Sequence, residues 1–524
     1  MNKRYFNTTG PCYSRDHYMM DVFERGGNAM LELVEQGHYF VLHAARQTGK
    51  TTHLLELMDK INADGKFYAL YCSLENMQGV VDPDKAIPAI VKKIKHELRI
   101  QQLPDGFAEE ADYQDSLNVL KTALNSYCQT LGKPLVIFFD EADCLSNGTL
   151  ISFLRQLRDG FILRSRFPFV HSIALVGMRN LRDYKSLIRP DSATVGSSSP
   201  FNIVKESYNL RNFSQVEVAE LYAQHTAETG QIFEPEAVDF IFVQTQGQPW
   251  LVNAIACQCV EKITRYDYSI PITKELAEQA IQDIVLARGT HFDSLMERLK
   301  EPRVRNIIVP LIRGDEVIDR VADDYLYTRD LGLIRDNNGK TEPANPIYAE
   351  LIIRTLNCGV QDSMQATHQD YLLPRYLKAG KIDINFLIRD FQEYWRENSE
   401  IWTDRYRTHF YEYDEAAPHL VMQAFLQRVI NSGGQLIREM ALGRKRADLC
   451  IVYDGQKYPI EIKILRNDKT ISDGLAQTLE YMEKCGSDAG WLIIFDRSVE
   501  KSWDEKIYIK EENMNGKKIT VAGC

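Results

Sequence analysis

The sequence predicts an α/β multidomain protein, and three observations carry that expectation. First, an apolar run, Tyr39-Phe40-Val41-Leu42-His43-Ala44, feeds a turn ending Gly49-Lys50-Thr51 and then a helical spacing of Leu54, Leu55, Met58 and Ile61. Second, further strand-like runs at 66–76, 134–143, 171–180 and 201–206 alternate with helical patterns, notably 85–99 and 148–164. Such alternation is expected of a parallel sheet covered on both faces. Third, a new α/β pattern begins at 412: helix 415–432, hairpin strands 435–442, 446–453 and 457–465, helix 471–485 and strand 489–495.

Between these two regions the pattern is mostly helical. After the serine-rich turn 192–200, the segments 214–228, 234–245, 250–264 and 273–287 read as four helices, a small lid-like domain. Residues 291–357 mix short helices with an Asn337-Asn338-Gly339-Lys340 turn between apolar stretches, a hairpin signal. Helices followed by a hairpin fit a winged-helix-like module, and its acidic Asp323-Asp324 favours protein packing over DNA reading. Polar, helical 362–410 reads as a spacer. The expected domains are therefore 1–210, 211–290, 291–360, 361–411 and 412–524. A chain of 524 residues is long enough for several domains of about 100–200 residues.

Composition narrows the function classes. The formal net charge of −11 argues against a broadly basic nucleic-acid coat, although a local groove needs only a few Lys and Arg. Ten cysteines are scattered without paired CxxC spacing, so a zinc site or a secreted disulfide framework is not expected. They fit small buried hydrophobes in a reducing, cytoplasmic setting. The first residues lack the apolar stretch of a signal peptide, and no run of about 18 apolar residues occurs, so no membrane partner is expected.

The loop at 44–52 carries the first chemistry. Between a buried strand and a helix, successive backbone N–H groups and the helix N-terminus point at phosphate oxygens. Lys50 is expected to bridge the β- and γ-phosphates, and the Thr51 hydroxyl to hold Mg²⁺. Ala44 stands where the first glycine of the GxxxxGK[ST] pattern belongs, leaving Gly49 to Thr51 intact. Leu135 to Phe139 then runs straight into Asp140-Glu141, delivering two carboxylates to the sheet edge where the loop lies. Asp140 is expected to complete the Mg²⁺ shell and Glu141 to polarise the attacking water.

These residues resemble the AAA-like P-loop ATPases of the AAA+ and STAND-type group, an ASCE-type fold whose loop reads RQTGKT or RQVGKT, as Arg46-Gln47-Thr48-Gly49-Lys50-Thr51 does here, with Thr52 following. The resemblance covers about residues 1–290. It implies ATP as cofactor, a polar sensor at Arg179-Asn180, and a lid turn Gly247-Gln248-Pro249-Trp250 that sets Pro249 near the nucleotide. It also implies adenine contacts within 11–21, with Tyr18 as candidate, while Arg155, Arg158, Arg182 and Arg189 all remain open as an arginine finger.

A second site is expected near the chain's far end. Asp448 lies on one hairpin strand, and Glu461 and Lys463 share a face of the next because side chains two apart point the same way. Two carboxylates and a lysine on a twisted sheet can hold Mg²⁺ and activate water. A solvated cross-strand charge pair explains Glu461 and Lys463 equally well. Gln477 and Tyr481 follow at i, i+4 on one helical face. The D…ExK…QxxxY pattern resembles the PD-(D/E)XK nuclease superfamily, particularly its RecB-like members, over roughly 412–500. By that resemblance Asp448 and Glu461 ligate one or two Mg²⁺, Lys463 is catalytic, Gln477 and Tyr481 support the site or DNA, and Glu415 is a further ligand candidate. Ala447 replaces the usual proline. Residues 401–524 hold 18 basic and 19 acidic residues, so any DNA groove there is local, with Arg444, Lys445 and Arg446 beside the aspartate.

The function expected is an ATP-hydrolysing protein coupled to a Mg²⁺-dependent DNA endonuclease domain, with ATP and DNA as partners and self-association into a homo-oligomer. The alternative is a STAND-like signalling or scaffold protein whose inactive nuclease fold holds nucleic acid or a partner.

Overall fold

The computed structural model describes residues 3–107, 116–177, 203–287, 290–313, 319–337, 339–349, 351–352, 373–378, 380–397, 422, 425–426, 435–442, 445–465, 469–496, 498 and 500–524. The chain divides into two compact units, one of residues 1–307 and 317–348, the other of 308–316 and 349–524.

The first unit is built on a five-stranded parallel sheet. Its elements run α1 (Asn28–Glu35), β1 (Tyr39–His43), α2 (Lys50–Asp64), β2 (Tyr68–Ser73), α3 (Pro83–Ile100), α4 (Val119–Thr130), β3 (Leu135–Asp140), α5 (Asn147–Leu163), β4 (Ser172–Gly177) and β5 (Val204–Asn209). The strands lie in the order β2-β3-β4-β1-β5, all parallel, so β4 is inserted between the strand that feeds the loop and the strand that ends in Asp140. Strand alternation sorts the side chains. Tyr39, Val41, Ile137 and Phe139 face α3, α4 and α5, whereas Phe40, Leu42, Val136 and Phe138 face α1 and α2. Both faces are dry, which explains why these strands read as unbroken apolar runs.

Helices α6 (Gln215–Thr229), α7 (Pro235–Thr245), α8 (Pro249–Cys257) and α9 (Lys274–Ala287) follow the sheet. Their ends are written locally. Ser214 and Glu217 form a reciprocal capping box for α6, and Gln248 caps α8 by accepting from Leu251 N ahead of Pro249 in the first turn. Beyond them lie α10 (Thr290–Glu297), a 3-10 turn at Arg298–Lys300, α11 (Pro302–Arg313), α12 (Asp323–Asp330) and the antiparallel hairpin β6 (Ile334–Asn337) and β7 (Lys340–Pro343).

The second unit carries the short pair β8 (Leu377–Lys378) and β9 (Lys381–Ile382), then α13 (Ile384–Glu397), β10 (Gln435–Leu442), β11 (Lys445–Tyr453), β12 (Gln456–Ile464), α14 (Lys469–Cys485), β13 (Ala489–Phe495), α15 (Trp503–Lys506), β14 (Tyr508–Met514) and β15 (Lys517–Gly523). A six-stranded sheet runs β10-β11-β12-β13-β15-β14. β10, β11 and β12 form an antiparallel meander, α14 crosses over, and β13 returns parallel to β12. One sheet face packs on α13 through Ile384, Leu387, Ile388 and Phe391, the other on α14 through Leu479 and Met482. The segment expected as a spacer is thus corrected over α13. Its apolar residues recur at helical spacing and complete the core of this unit instead of standing apart.

The helix expected at 415–432 lies outside the described residues, apart from Met422, Phe425 and Leu426, which join the α13 core. Among the described residues no helix is long and apolar enough to cross a membrane.

Candidate functional site

The phosphate loop is shaped by its backbone. Gln47 and Gly49 both take positive φ, 57° and 93°, and Gly49 is the N-cap of α2. That left-handed turn aims the first N–H groups of α2 out of the loop, the geometry of an anion nest. Lys50 is buried and its Nζ donates to the carbonyls of Ala44 and Ala45, both at 2.9 Å. Burial pushes its ammonium down from the ordinary lysine value, while Glu141 and Asp140 pull it back up. Thr48 Oγ1 donates to Ala45 O at 2.9 Å, bracing the turn from inside.

Across the loop, Asp140 closes β3 with 1% exposure. Its Oδ2 accepts from Thr51 Oγ1 at 2.7 Å and from the Tyr71 hydroxyl at 3.0 Å, and its Oδ1 accepts from Glu141 N at 2.9 Å. Glu141 sits at φ 55°, a left-handed kink that turns its side chain away from the strand direction. Burial raises its carboxyl above the usual range, and the charges of Asp143 and Asp140 raise it further. A hydroxyl and a buried carboxylate in contact, with a second carboxylate next in sequence, are the hard oxygen donors that Mg²⁺ takes.

The lid residues also reach the loop. Gln248 Nε2 donates to Gln47 O at 3.4 Å, and Pro249 is buried at the start of α8. Thr52 Oγ1 accepts from Cys12 N at 3.0 Å, tying the N-terminal segment to the first turn of α2. Arg46 behaves differently from its neighbours in the loop, because its guanidinium donates to Ser294 Oγ. Tyr18 has 1% exposure and packs its ring against Phe6 and His225, so the adenine contact expected of it is corrected: the ring is spent in the lid core. Arg179, Asn180, Arg182 and Arg189 lie outside the described residues.

Sequence reasoning missed Tyr71 and gave Gln248 no role of its own. Tyr71 precedes by two the residue paired with Asp140, Ser73, so strand alternation could have placed it on the aspartate's side. Gln248 was visible only as part of the lid turn.

With this geometry in view, the comparisons decide the family. A model described as "AAA-like domain" matches residues 23–353. The chain belongs to the AAA-like domain family. The parallel sheet and its loop are accordingly an AAA-like P-loop ATPase fold, and nucleotide binding follows from it. A second model, described as a domain of unknown function (DUF8371), matches residues 383–498 and assigns no activity to them. No curated protein matches the chain.

Solved structures similar to this AAA-like protein include the Walker-type ATPase PABY2304 of Pyrococcus abyssi, 14% identical over 66% of this chain and 99% of its own, at a TM-score of 0.49. The RuvB Holliday junction branch migration motor of Thermotoga maritima is 12% identical over 64% and 94%, at 0.34. Cdc6p from Pyrobaculum aerophilum is 15% identical over 64% and 93%, at 0.32. At such TM-scores these likenesses carry no argument about this chain.

In the second unit, Leu449 of β11 pairs with Ile460 of β12, and Asp448 and Glu461 are the next residues along those two strands. The side chain of Asp448, and all of Glu415 and Arg444, lie outside what is described. Glu461 is 2% exposed and accepts from Lys463 Nζ at 2.5 Å. It pairs in register with Leu492, whose side chain belongs to the core under α14. Glu461 and Lys463 therefore occupy the helix-covered face, and the reading of them as a solvated cross-strand pair is corrected. Tyr481 is buried on α14, one turn from half-buried Gln477, whose Oε1 is enclosed. Among the described residues no group of three or more His, Cys, Asp and Glu gathers as a metal cluster.

Proposed function

We propose that the chain hydrolyses ATP at the loop 44–52 and couples the nucleotide state to a Mg²⁺-dependent DNA endonuclease in its C-terminal domain. In the first reaction Lys50 leaves the Ala44 and Ala45 carbonyls for phosphate oxygens, which offer a full charge in place of two dipoles. Thr51 and Asp140 would hold Mg²⁺, which would supply positive charge against the transferred phosphoryl group. Glu141, held off the strand axis and with its proton affinity raised, orients the attacking water and accepts its proton. Gln47, Thr48, Gly49 and Thr52 frame the phosphates, Arg179 reads them, and Gln248-Pro249 closes the lid side.

The nuclease reading is supported by one observation above the rest: Glu461, a carboxylate with 2% exposure, is kept on the α14 face beside Lys463 and one register step from Leu449–Ile460, where Asp448 follows. Burying a carboxylate costs stability relative to an apolar residue, so the retention of Glu461 on this face favours a chemical use. Asp448 and Glu461 would hold Mg²⁺, which would activate water for attack on a phosphodiester. Lys463 supports the charge on the reacting phosphate, and Gln477 and Tyr481 line the same side from α14.

The test is metal-dependent cleavage of DNA by wild type and Asp448→Ala. Cleavage lost in the variant supports the endonuclease. DNA binding that ignores both metal and the substitution points instead to the scaffold alternative, a nuclease fold that holds without cutting.

A further inference from the structure

Ahead of the family domain, which begins at Phe23, the N-terminal segment folds into a closed loop of its own. Its base is pinned where Tyr5 N donates to Asp16 O at 3.2 Å and Tyr18 N donates to Tyr5 O at 3.1 Å. Its middle is filled by Asn7, which is buried. Asn7 Nδ2 donates to Gly10 O at 3.3 Å and to Pro11 O at 3.1 Å, and its Oδ1 accepts from Thr9 N at 3.1 Å. A loop whose ends meet and whose own side chain packs its interior moves as one piece.

That piece is fastened to the lid. Phe6 packs its ring among Tyr222, His225 and Phe233. Arg4 N and Nε both donate to Glu228 of α6, at 2.9 and 3.0 Å, and Gln224 of the same helix donates to Met19 O at 2.9 Å. Trp250, in the first turn of α8, donates its Nε1 to Thr8 O at 2.9 Å. Toward α2 the tip of the loop makes a lighter tie, the bond from Cys12 N to Thr52 Oγ1 at 3.0 Å. A joint held by a hydrogen bond opens more readily than one held by ring packing and an ion pair, so the loop parts from α2 and stays on the lid.

The lid turn meets the same short segment at its other end, where Gln248 Nε2 donates to Gln47 O at 3.4 Å. Two lid-borne contacts thus fall on Gln47 and Thr52, with Gly49, Lys50 and Thr51 between them. We propose that the N-terminal loop is a latch on nucleotide exchange: it rides with the lid, closes on Thr52 through the Cys12 amide, and lets go before a nucleotide enters or leaves the loop 44–52. A hydroxyl that accepts from Cys12 still has its own hydrogen to donate to a phosphate, so the closed latch is compatible with a filled site. The latch joins protein groups only, and it therefore slows entry and release by the same factor.

This inference rests on the reading that the loop 44–52 binds nucleotide, and the experiment separates the two. Association and release of fluorescent mant-ADP with Mg²⁺ are followed by stopped flow on the full chain for wild type, Asn7→Ala, Trp250→Phe and Lys50→Ala. Asn7→Ala loosens the tip that presents the Cys12 amide, and Trp250→Phe keeps a ring beside Phe292 while removing the donor to Thr8 O. Each of these two is expected to speed association and release together by about 3- to 10-fold, the order set by one lost hydrogen bond, with affinity kept within about 2-fold. Faster association is a direction that a damaged fold does not produce. Unchanged rates in both variants, or faster release with association unchanged, overturn the latch, while wild-type binding that needs Lys50 keeps the nucleotide reading. Wild type that does not bind mant-ADP, or binding indifferent to Lys50→Ala, overturns both.

Discussion

Thr51 donates its hydroxyl to Asp140 at 2.7 Å, joining the first turn of α2 to the last residue of β3 across 89 positions of sequence. Asp140 is buried and already accepts from Tyr71 and from the Glu141 amide, so its carboxylate is held in one orientation before any ligand arrives.

Asp140→Asn keeps the volume and removes the charge. We expect Mg²⁺-dependent phosphate release to fall on the order of 10²-fold or more, as when a preorganised electrostatic group is lost. Tyr71→Phe, which removes only one of the contacts that orient Asp140, is expected to cost less, about 10-fold. Steady-state phosphate release with Mg²⁺ measures both, and equal losses would show that Tyr71 does more than orient.

The lid turn depends on a glycine. Gly247 has φ +68°, and a Cβ there would lie 1.9 Å from the Phe213 carbonyl oxygen, a backbone atom that cannot swing aside. Gly247→Ala is expected to destabilise by more than about 1 kcal/mol and to lower the melting temperature of the first unit by at least about 3 °C. Gly230→Ala, at φ +82° but with open space around it, carries only the conformational cost. Calorimetry that ranks Gly230→Ala as the worse variant would contradict this.

Glu217 ties the entry of the lid. Burial alone would raise its carboxyl, but the Arg211 hydrogen bond and those of Ser214 bring it to about 2 from 4.5. A depressed folded value contributes stability that is complete above about pH 4.5 and is lost as pH falls toward 2. Glu217→Gln should therefore cost about 1 kcal/mol of stability at pH 7, read as a lower urea midpoint, and less at pH 3. A difference that stays constant between the two pH values would place the effect elsewhere.

In the C-terminal domain, Lys463→Ala removes the partly exposed ammonium that donates to Glu461 at 2.5 Å, and the loss is expected to cost about 1 kcal/mol. Adding Glu461→Gln should recover part of that, because a neutral amide at 461 no longer gains from the ammonium. A double-mutant cycle by denaturant unfolding reads the coupling, and strict additivity would mean that the two side chains do not support each other.

The parallel sheet was legible because its strands are buried on both faces and read as apolar runs: 134–143 became Leu135–Asp140, and 171–180 became Ser172–Gly177. The strand order was not legible, since crossover helices erase any sequence trace of which strands are neighbours. Asn515-Gly516, a hairpin turn signal, marks β14 and β15 but was not read. Ile384, Leu387, Ile388 and Phe391 lie in a segment read as helical, but its polar average hid that this apolar stripe belongs to the core. Alternation placed Glu461 and Lys463 on one face, yet only the position of α14 shows that this face is covered.

The most direct test of ATP-coupled cleavage uses single-stranded, duplex and branched DNA with Mg²⁺, each with and without ATP, and compares wild type with Glu461→Gln and Lys50→Ala. The account predicts cleavage by wild type that changes with ATP, cleavage by Lys50→Ala that ignores ATP, and none by Glu461→Gln. Failure of wild type to cut any of these DNAs while it turns over ATP would contradict the coupling and leave an ATPase whose C-terminal domain does not cut.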